Sequence, residues 1–344
     1  MGPDEHQIRL RLHYDGSGFA GWQVQPGERT VQGELEAALH RLTGGARTTG
    51  STGSSGRSTG SSGRSTGGSA RGTGAARVTA AGRTDSGVHA TGQVVGAVVP
   101  RKWAATELRR ALNAVLPDDV WVAGAAETRD DFHARYDAVA RGYTYRLGTA
   151  PVSRSPFFRR TCWPLAGAGG AAPGGGAPGR GAPGGIAPGS GARDGAAPGA
   201  TAPGGGTPGA AALPLDVLNA AAARIVGDHS FRAFARAGQP ERGERCTVYA
   251  ADWVPWPPAG LHFRVVANRF LHHMVRYLVG TMVDVARGRR GLDEIDRLLA
   301  NEPGLETSPP APPEGLFLTR VFYGDDVVDG HQWSGEDAAD EILS

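Results

Sequence analysis

The chain has 344 residues, and 36 Lys and Arg against 34 Asp and Glu give it a formal net charge of +2. That balance permits a polyanionic partner without requiring one. Its two cysteines are far apart and form no CxxC pair, which argues against a disulfide framework or a zinc-cysteine site. We find no signal peptide and no apolar run long enough to span a bilayer, so we expect a soluble, cytoplasmic protein with no membrane partner.

Two low-complexity tracts and an acidic tail interrupt the patterned sequence. Residues 47–75 consist mainly of Gly, Ser and Thr, and residues 166–211 mainly of Ala, Pro and Gly. Neither tract can bury enough apolar surface to offset the entropy of ordering, so we predict that both are disordered insertions. The chain then divides into an N-terminal half (1–165), the second insertion, a C-terminal half (212–323) and a tail (324–344).

Periodicity predicts a similar series of strands and helices in each half. The first half gives a strand (8–14), a helix capped by Thr30 (31–42), strands at 76–80 and 93–99, a helix (108–115), and strands at 120–122 and 143–147. The second half gives a helix (217–225), strands at 247–256 and 261–267, a long helix (270–285), a short helix (292–299) and a strand (316–323). We assign the α+β class, with a mixed or antiparallel sheet backed by helices.

The stretch AAGRTDSGVHATGQVV, residues 80–95, is the most unusual polar region. It places Arg83, Asp85 and His89 among glycines, between two predicted strands. Asp85 is interpreted equally well as a functional carboxylate or as a turn residue that caps backbone N–H groups. Asp85 and His89 have the spacing of a helical metal pair, but Gly87 disfavours a helix and no third ligand lies nearby, so we expect no metal. Ser86 is not in a nucleophile elbow, which argues against a hydrolase.

Other polar residues lie within apolar elements. Tyr143 and Tyr145 alternate on one strand face, where one packs in the core and the other could stack on a base. His272 and His273 on the long helix are interpreted as structural histidines. Arg276 on the same helix is less expected, because a buried cation needs a carboxylate or phosphate partner.

Seven segments together resemble one known family. The segment GRTDSGVHATGQVV (82–95) resembles the catalytic motif of the bacterial tRNA pseudouridine synthase A family. The other segments follow in the expected order: YDGSGFAGWQVQ (14–25), NAVLPDDV (113–120), DDFHARYDA (130–138), RGYTYRL (141–147), NRFLHHMVRYLVG (268–280) and APPEGLFLTRVFY (311–323). The two tracts fall between these segments and interrupt none of them.

The resemblance implies a fold, a reaction and a site. The fold would be pseudouridine-synthase-like, with two similar halves flanking a basic cleft. The reaction would isomerise uridine to pseudouridine at positions 38, 39 and 40 of the tRNA anticodon stem-loop, in a homodimer with no cofactor or metal. Asp85 would be the nucleophile, Arg83 would position the flipped nucleotide, Tyr143 would contact the uracil, and Arg276 would pair with the Asp85 carboxylate.

Two alternatives stay open, and the first is from another class. One is a non-catalytic RNA-binding module, although a binder gains nothing from a carboxylate that repels a polyanion. The other is a pseudouridine synthase acting on another RNA, which no residue excludes. The residues also leave open whether Asp85 attacks C1′ or C6 of the nucleotide.

Overall fold

The computed structural model describes residues 3–44, 78–165, 213–236 and 243–324. The predicted insertions at 47–75 and 166–211 lie outside the described residues, as does the acidic tail beyond Gly324. None of the described helices is long and apolar enough to cross a membrane.

One sheet of ten strands forms the centre of the described structure. The strands are β1 (Glu5–Tyr14), β2 (Val78–Ala80), β3 (His89–Pro100), β4 (Val120–Glu127), β5 (Ala138–Gly148), β6 (Trp163–Pro164), β7 (Gly227–Ser230), β8 (Arg245–Trp256), β9 (Gly260–Ala267) and β10 (Leu316–Tyr323). Their order is β4-β1-β3-β10-β5-β9-β8-β7, with β2 beside β3 and β6 beside β5. Most neighbours are antiparallel, whereas β10 is parallel to β3 and β6 is parallel to β5. The sheet is therefore mixed, as predicted.

The last strand joins the two halves of the sheet. β10 lies between β3 and β5, so that Phe317 is in register with His89 on one side and with Thr144 on the other. On the far side of β5, Tyr143 is in register with Val265 of β9. The Asp85 loop, which follows β2 and leads into β3, thus ends beside the middle of a continuous sheet.

Five helices accompany the sheet: α1 (Val31–Thr43), α2 (Ala105–Asn113), α3 (Leu215–Ala223), α4 (Met274–Ala286) and α5 (Glu294–Leu299). Thr30 caps α1 as predicted, because its side chain accepts a hydrogen bond from the Gly33 N–H. α2 packs on β4, and α3 packs on both β8 and α4. This arrangement of helices on a mixed sheet confirms the α+β class.

Most predicted elements are present, with two differences that matter. β4 extends to Glu127, well beyond the short run predicted at 120–122, because pairing with β1 continues to that residue. The long helix predicted at 270–285 is wrong at its start, since α4 begins at Met274. His273 has a left-handed backbone, with φ of 64°, and therefore lies before the helix rather than on it.

Candidate active site

The loop between β2 and β3, residues 81–88, carries Asp85 and is called the Asp85 loop below. The Thr84 carbonyl accepts a hydrogen bond from the Trp22 N–H at 3.0 Å, and the Thr84 and Tyr14 hydroxyls lie 2.8 Å apart. Two more side-chain bonds hold the loop: Gln93 Nε2 donates to the Gly82 carbonyl at 2.8 Å, and Ser86 Oγ donates to the Phe19 carbonyl at 3.2 Å. Because so many of its polar groups are bonded, the loop presents Asp85 from a rigid frame.

A close backbone approach explains one glycine outside the loop. Gly21 has φ of 108°, which favours glycine, and a Cβ there would lie 2.8 Å from the Thr84 carbonyl oxygen. Only a residue without a side chain lets the neighbouring segment reach the Asp85 loop this closely.

Arg141 of β5 ties the Asp85 loop to the segment that precedes α4. Its Nε and Nη2 donate to the Ala81 carbonyl at 3.3 and 3.0 Å, and its Nη1 donates to the Asn268 carbonyl at 3.1 Å. It also donates to the Arg135 carbonyl at 2.7 Å. The planar guanidinium can hold these carbonyls together because its N–H groups point in fixed directions.

Two histidines face the Asp85 carboxylate. His272 Nε2 lies 3.2 Å from Asp85 Oδ1, and His273 Nε2 lies 3.4 Å from Asp85 Oδ2. The Asp85 side chain remains 27% exposed, so the carboxylate is both contacted and accessible. Asp85 therefore has the exposure that a nucleophile or a ligand needs.

Electrostatics keep His273 neutral. Burial lowers its pKa more than the Asp85 carboxylate raises it, and the charges of Arg276, His272 and Arg236 lower the pKa further. A neutral imidazole retains one nitrogen lone pair.

Tyr143 lies beside the same carboxylate. Its side chain is buried, and its ring meets the Phe270 ring edge-on with 5.0 Å between centroids. Burial raises its pKa, and nearby Tyr14 and Asp85 raise it further, so the phenol stays protonated. By contrast, Tyr145 is fully buried and donates to the Pro312 carbonyl at 2.8 Å, which makes it the core tyrosine of the pair.

Arg276 and Arg83 occupy different surroundings. Arg276 is half-buried on α4, and its Nε donates to the Ala311 carbonyl at 2.7 Å. Among the described residues it forms no direct ion pair with Asp85, although its charge reaches the neighbouring His273. Arg83 is exposed and forms no ion pair within the described part of the chain. The expected Arg276–Asp85 contact is thus replaced, in this structure, by the two histidines.

His89 belongs to a separate neighbourhood. Its Nδ1 lies 3.2 Å from Asp15 Oδ1 and accepts a hydrogen bond from the Gly16 N–H, and its ring stacks on Phe317. It borders a cavity of about 250 Å³ that none of the four predicted site residues line. His89, the first residue of β3, is therefore held by partners other than the four predicted site residues.

Comparisons with known proteins identify the family. The family described as tRNA pseudouridine synthase matches residues 12–137 and 221–324. The tRNA pseudouridine synthase A of Geobacillus kaustophilus is 32% identical over 323 residues, covering 94% of this chain and 96% of that protein. That of Moorella thermoacetica is 34% identical over 320 residues, covering 92% and 99%. The chain belongs to the tRNA pseudouridine synthase family.

The family match covers most of the candidate site. Arg83 and Asp85 lie in the first matched range, and His272, His273 and Arg276 lie in the second. Tyr143 lies between the two ranges, so its place in the site depends on the geometry described above. Sequence reasoning missed the two histidines, because a His-His pair before an apolar run carries no sign of a left-handed backbone or of a distant carboxylate.

Proposed function

We propose that this protein isomerises uridine to pseudouridine at positions 38, 39 and 40 of the tRNA anticodon stem-loop, with Asp85 as the nucleophile. The observation that carries this proposal is the accessible Asp85 carboxylate, held on a rigid loop beside Tyr143 in a chain of this family. The relatives' name, tRNA pseudouridine synthase A, supports the substrate class.

The reaction needs few protein groups. The N1–C1′ bond breaks, the uracil turns, and C5 bonds to C1′; C5 then loses its proton while N1 gains one. A carboxylate can support this exchange by attacking C1′ or C6. Because the target base is stacked or paired in the stem, it must first be flipped into a pocket. Asp85 supplies the carboxylate. Tyr143 and Phe270 supply aromatic surface for the flipped base.

Tyr143 is proposed to contact the flipped uracil. Its phenol stays protonated at neutral pH, so it can donate a hydrogen bond and take part in proton transfer. The perpendicular ring of Phe270 fixes the plane that Tyr143 presents.

The arginines are proposed to hold the RNA backbone. Arg83 and Arg236 are exposed and have no ion pair among the described residues, so their guanidinium groups are available to phosphates. Arg83 would position the flipped nucleotide. Arg276 would act on Asp85 through its charge and would pair with the carboxylate directly once substrate rearranges the site.

The test is Asp85→Asn, which removes the charge and keeps the shape. We expect turnover to fall below detection, measured as tritium release from C5-labelled uridine in tRNA. Affinity for tRNA, measured by filter binding, should hold or increase because a repelling charge is gone. Asp131→Asn is the control: that side chain is 83% exposed and lies outside the site, so this variant should keep the wild-type rate.

Each alternative predicts a different result. A non-catalytic RNA-binding module would show no tritium release from the wild-type protein. An enzyme for another RNA would leave tRNA from a deletion strain fully modified at positions 38, 39 and 40. Turnover by Asp85→Asn at a few per cent of the wild-type rate would exclude Asp85 as the nucleophile.

We also propose that the protein is a cytoplasmic homodimer. We choose Phe157 to test this, because it is 89% exposed while its neighbour Phe158 packs on Trp256. Sedimentation should give a dimer for the wild-type protein and a monomer for Phe157→Ser. Cell fractionation should place the protein with tRNA in the cytoplasm. A monomeric wild-type protein would reject the dimer.

A further inference from the structure

Asp85, His272 and His273 form a cluster whose ligand atoms converge. One ligand atom from each residue lies within 4.8 Å of the others. Asp85 comes from the loop after β2, whereas the two histidines come from the segment before α4. The sequence offered no third ligand near Asp85, because the fold brings the histidines from the other half of the chain.

The donor set and its spacing suit one class of metal ion. Two imidazole nitrogens and a carboxylate oxygen are ligands for Zn²⁺ and similar divalent transition metals, rather than for Mg²⁺ or Ca²⁺. At ordinary zinc bond lengths, a tetrahedral ion separates its ligand atoms by about 3.4 Å. His272 Nε2 lies 3.2 Å from Asp85 Oδ1 and His273 Nε2 lies 3.4 Å from Asp85 Oδ2, and one ligand atom from each of the three residues lies within 4.8 Å of the others, so the atoms must close by up to about 1.4 Å to reach that spacing.

The backbone presets this arrangement. His273 adopts φ of 64°, a conformation that residues other than glycine seldom use, and its imidazole faces Asp85 from this backbone. The His272 carbonyl accepts a hydrogen bond from the Arg236 N–H at 3.2 Å, which holds the adjacent residue. The two imidazole rings then lie 4.1 Å apart between centroids.

The exposure of His272 and the charges around His273 determine how readily an ion can bind. The His272 side chain is 38% exposed, so an ion and its fourth ligand, a water, can reach the cluster. The charges of Arg276 and Arg236 act at His273 and oppose a cation, whereas the Asp85 carboxylate attracts one.

We propose that Asp85, His272 and His273 bind a divalent transition-metal ion of the Zn²⁺ class, and that the bound ion inhibits the enzyme. Each imidazole donates its Nε2 lone pair, and Asp85 donates a carboxylate lone pair. An oxygen bound to the metal no longer attacks the nucleotide. The inhibition rests on the proposed role of Asp85 as nucleophile, whereas the metal site rests on geometry alone.

The binding test uses the whole protein with Zn²⁺ by calorimetry and with Co²⁺ by visible absorption. Wild type and the control His229→Gln, whose imidazole lies outside the cluster, should bind one ion with a tetrahedral Co²⁺ spectrum. His272→Gln, His273→Gln and Asp85→Asn should each weaken binding about tenfold or more, since loss even of an outer-shell partner costs 10–100-fold. Circular dichroism verifies that each variant is folded. If His273→Gln does not fold, His272→Gln alone still tests the metal site.

The inhibition test adds Zn²⁺ to the tritium-release reaction. Turnover by wild type and by His229→Gln should fall at the Zn²⁺ concentration that fills the site, and a chelator should restore it. Equal Zn²⁺ affinity in wild type and His272→Gln would overturn the metal site. Co²⁺ bound through the cluster with turnover unchanged would keep the site but reject the inhibition, whereas turnover of Asp85→Asn separately tests Asp85 as the nucleophile.

Discussion

The two segments that meet at the candidate site are held in different ways. The Asp85 loop is restrained by the side chains of Tyr14, Gln93 and Arg141, and the close approach of the neighbouring segment is met by glycine at position 21. The double-histidine segment, residues 268–273, ends in a left-handed residue that is not glycine. The first segment is a relaxed, well-bonded frame, whereas the second stores backbone strain beside the carboxylate.

Both segments bring side chains to the site, but only the double-histidine segment does so with a strained backbone. A strained residue persists only when the surrounding structure holds it in place, and such residues cluster at functional sites. Arg141 provides that hold, because it bonds to the Ala81 carbonyl of one segment and to the Asn268 carbonyl of the other. Substitutions at Gly21, Arg141 and His273 should therefore change the free energy of unfolding by different amounts. They test the Asp85 loop, the connection between the two segments and the strained backbone, in that order.

Arg141→Met should have the largest effect. It leaves the carbonyls of Ala81 and Asn268 without their donor and lets both segments move. Because each unsatisfied buried group costs about 1–3 kcal/mol, we expect the free energy of unfolding to fall by about 4 kcal/mol. Urea denaturation measures this change.

The control for Arg141→Met is Arg135→Met. The side chain of Arg135 is exposed, and only its backbone carbonyl accepts a hydrogen bond from Arg141. We expect that variant to stay within about 0.5 kcal/mol of wild type. Equal stability of the two variants would show that Arg141 does not join the segments.

Gly21→Ala should have the second largest effect. The added Cβ meets the Thr84 carbonyl at 2.8 Å, and φ of 108° is unfavourable for alanine. We expect a loss of about 3 kcal/mol, as backbone strain and overpacking add. Thermal or urea unfolding measures it.

Gly27→Ala separates those two causes. Gly27 also has positive φ, at 77°, but a Cβ there meets nothing within 4 Å. This variant should lose only about 1 kcal/mol, from strain alone. If Gly27→Ala cost as much as Gly21→Ala, the contact with the Asp85 loop would contribute nothing.

The sequence predicted the frame well and the strained segment poorly. The Asp85 loop was recognisable because glycines and charged residues within one short stretch are local signals. The cap at Thr30 and the strand β10 were predicted for the same reason. The start of α4 was not, because Phe270 to His273 continue an apolar pattern that fits a helix equally well. Only the fold reveals that His273 has a left-handed backbone and faces Asp85 from the other half of the chain.

His273→Gly should have the smallest effect on stability and still reduce turnover. Glycine adopts φ of 64° without strain, which returns about 1–2 kcal/mol. That gain offsets part of the cost of removing a side chain that is only 16% exposed. We therefore expect the free energy of unfolding to stay within about 1 kcal/mol of wild type. Turnover should fall, because Asp85 loses one of the two imidazoles that face its carboxylate.

Two further variants isolate the cause. Asn301 is the other described non-glycine residue with positive φ, at 56°, so Asn301→Gly places glycine at such a backbone position away from the site and should keep full turnover. His273→Ala removes the same imidazole but keeps the strain, so it should be less stable than His273→Gly and equally impaired in tritium release. If His273→Gly were fully active, the strained backbone would serve the start of α4 rather than the carboxylate. If His273→Ala and His273→Gly were equally stable, φ at this position would hold no strain, and the contrast between the two segments would disappear.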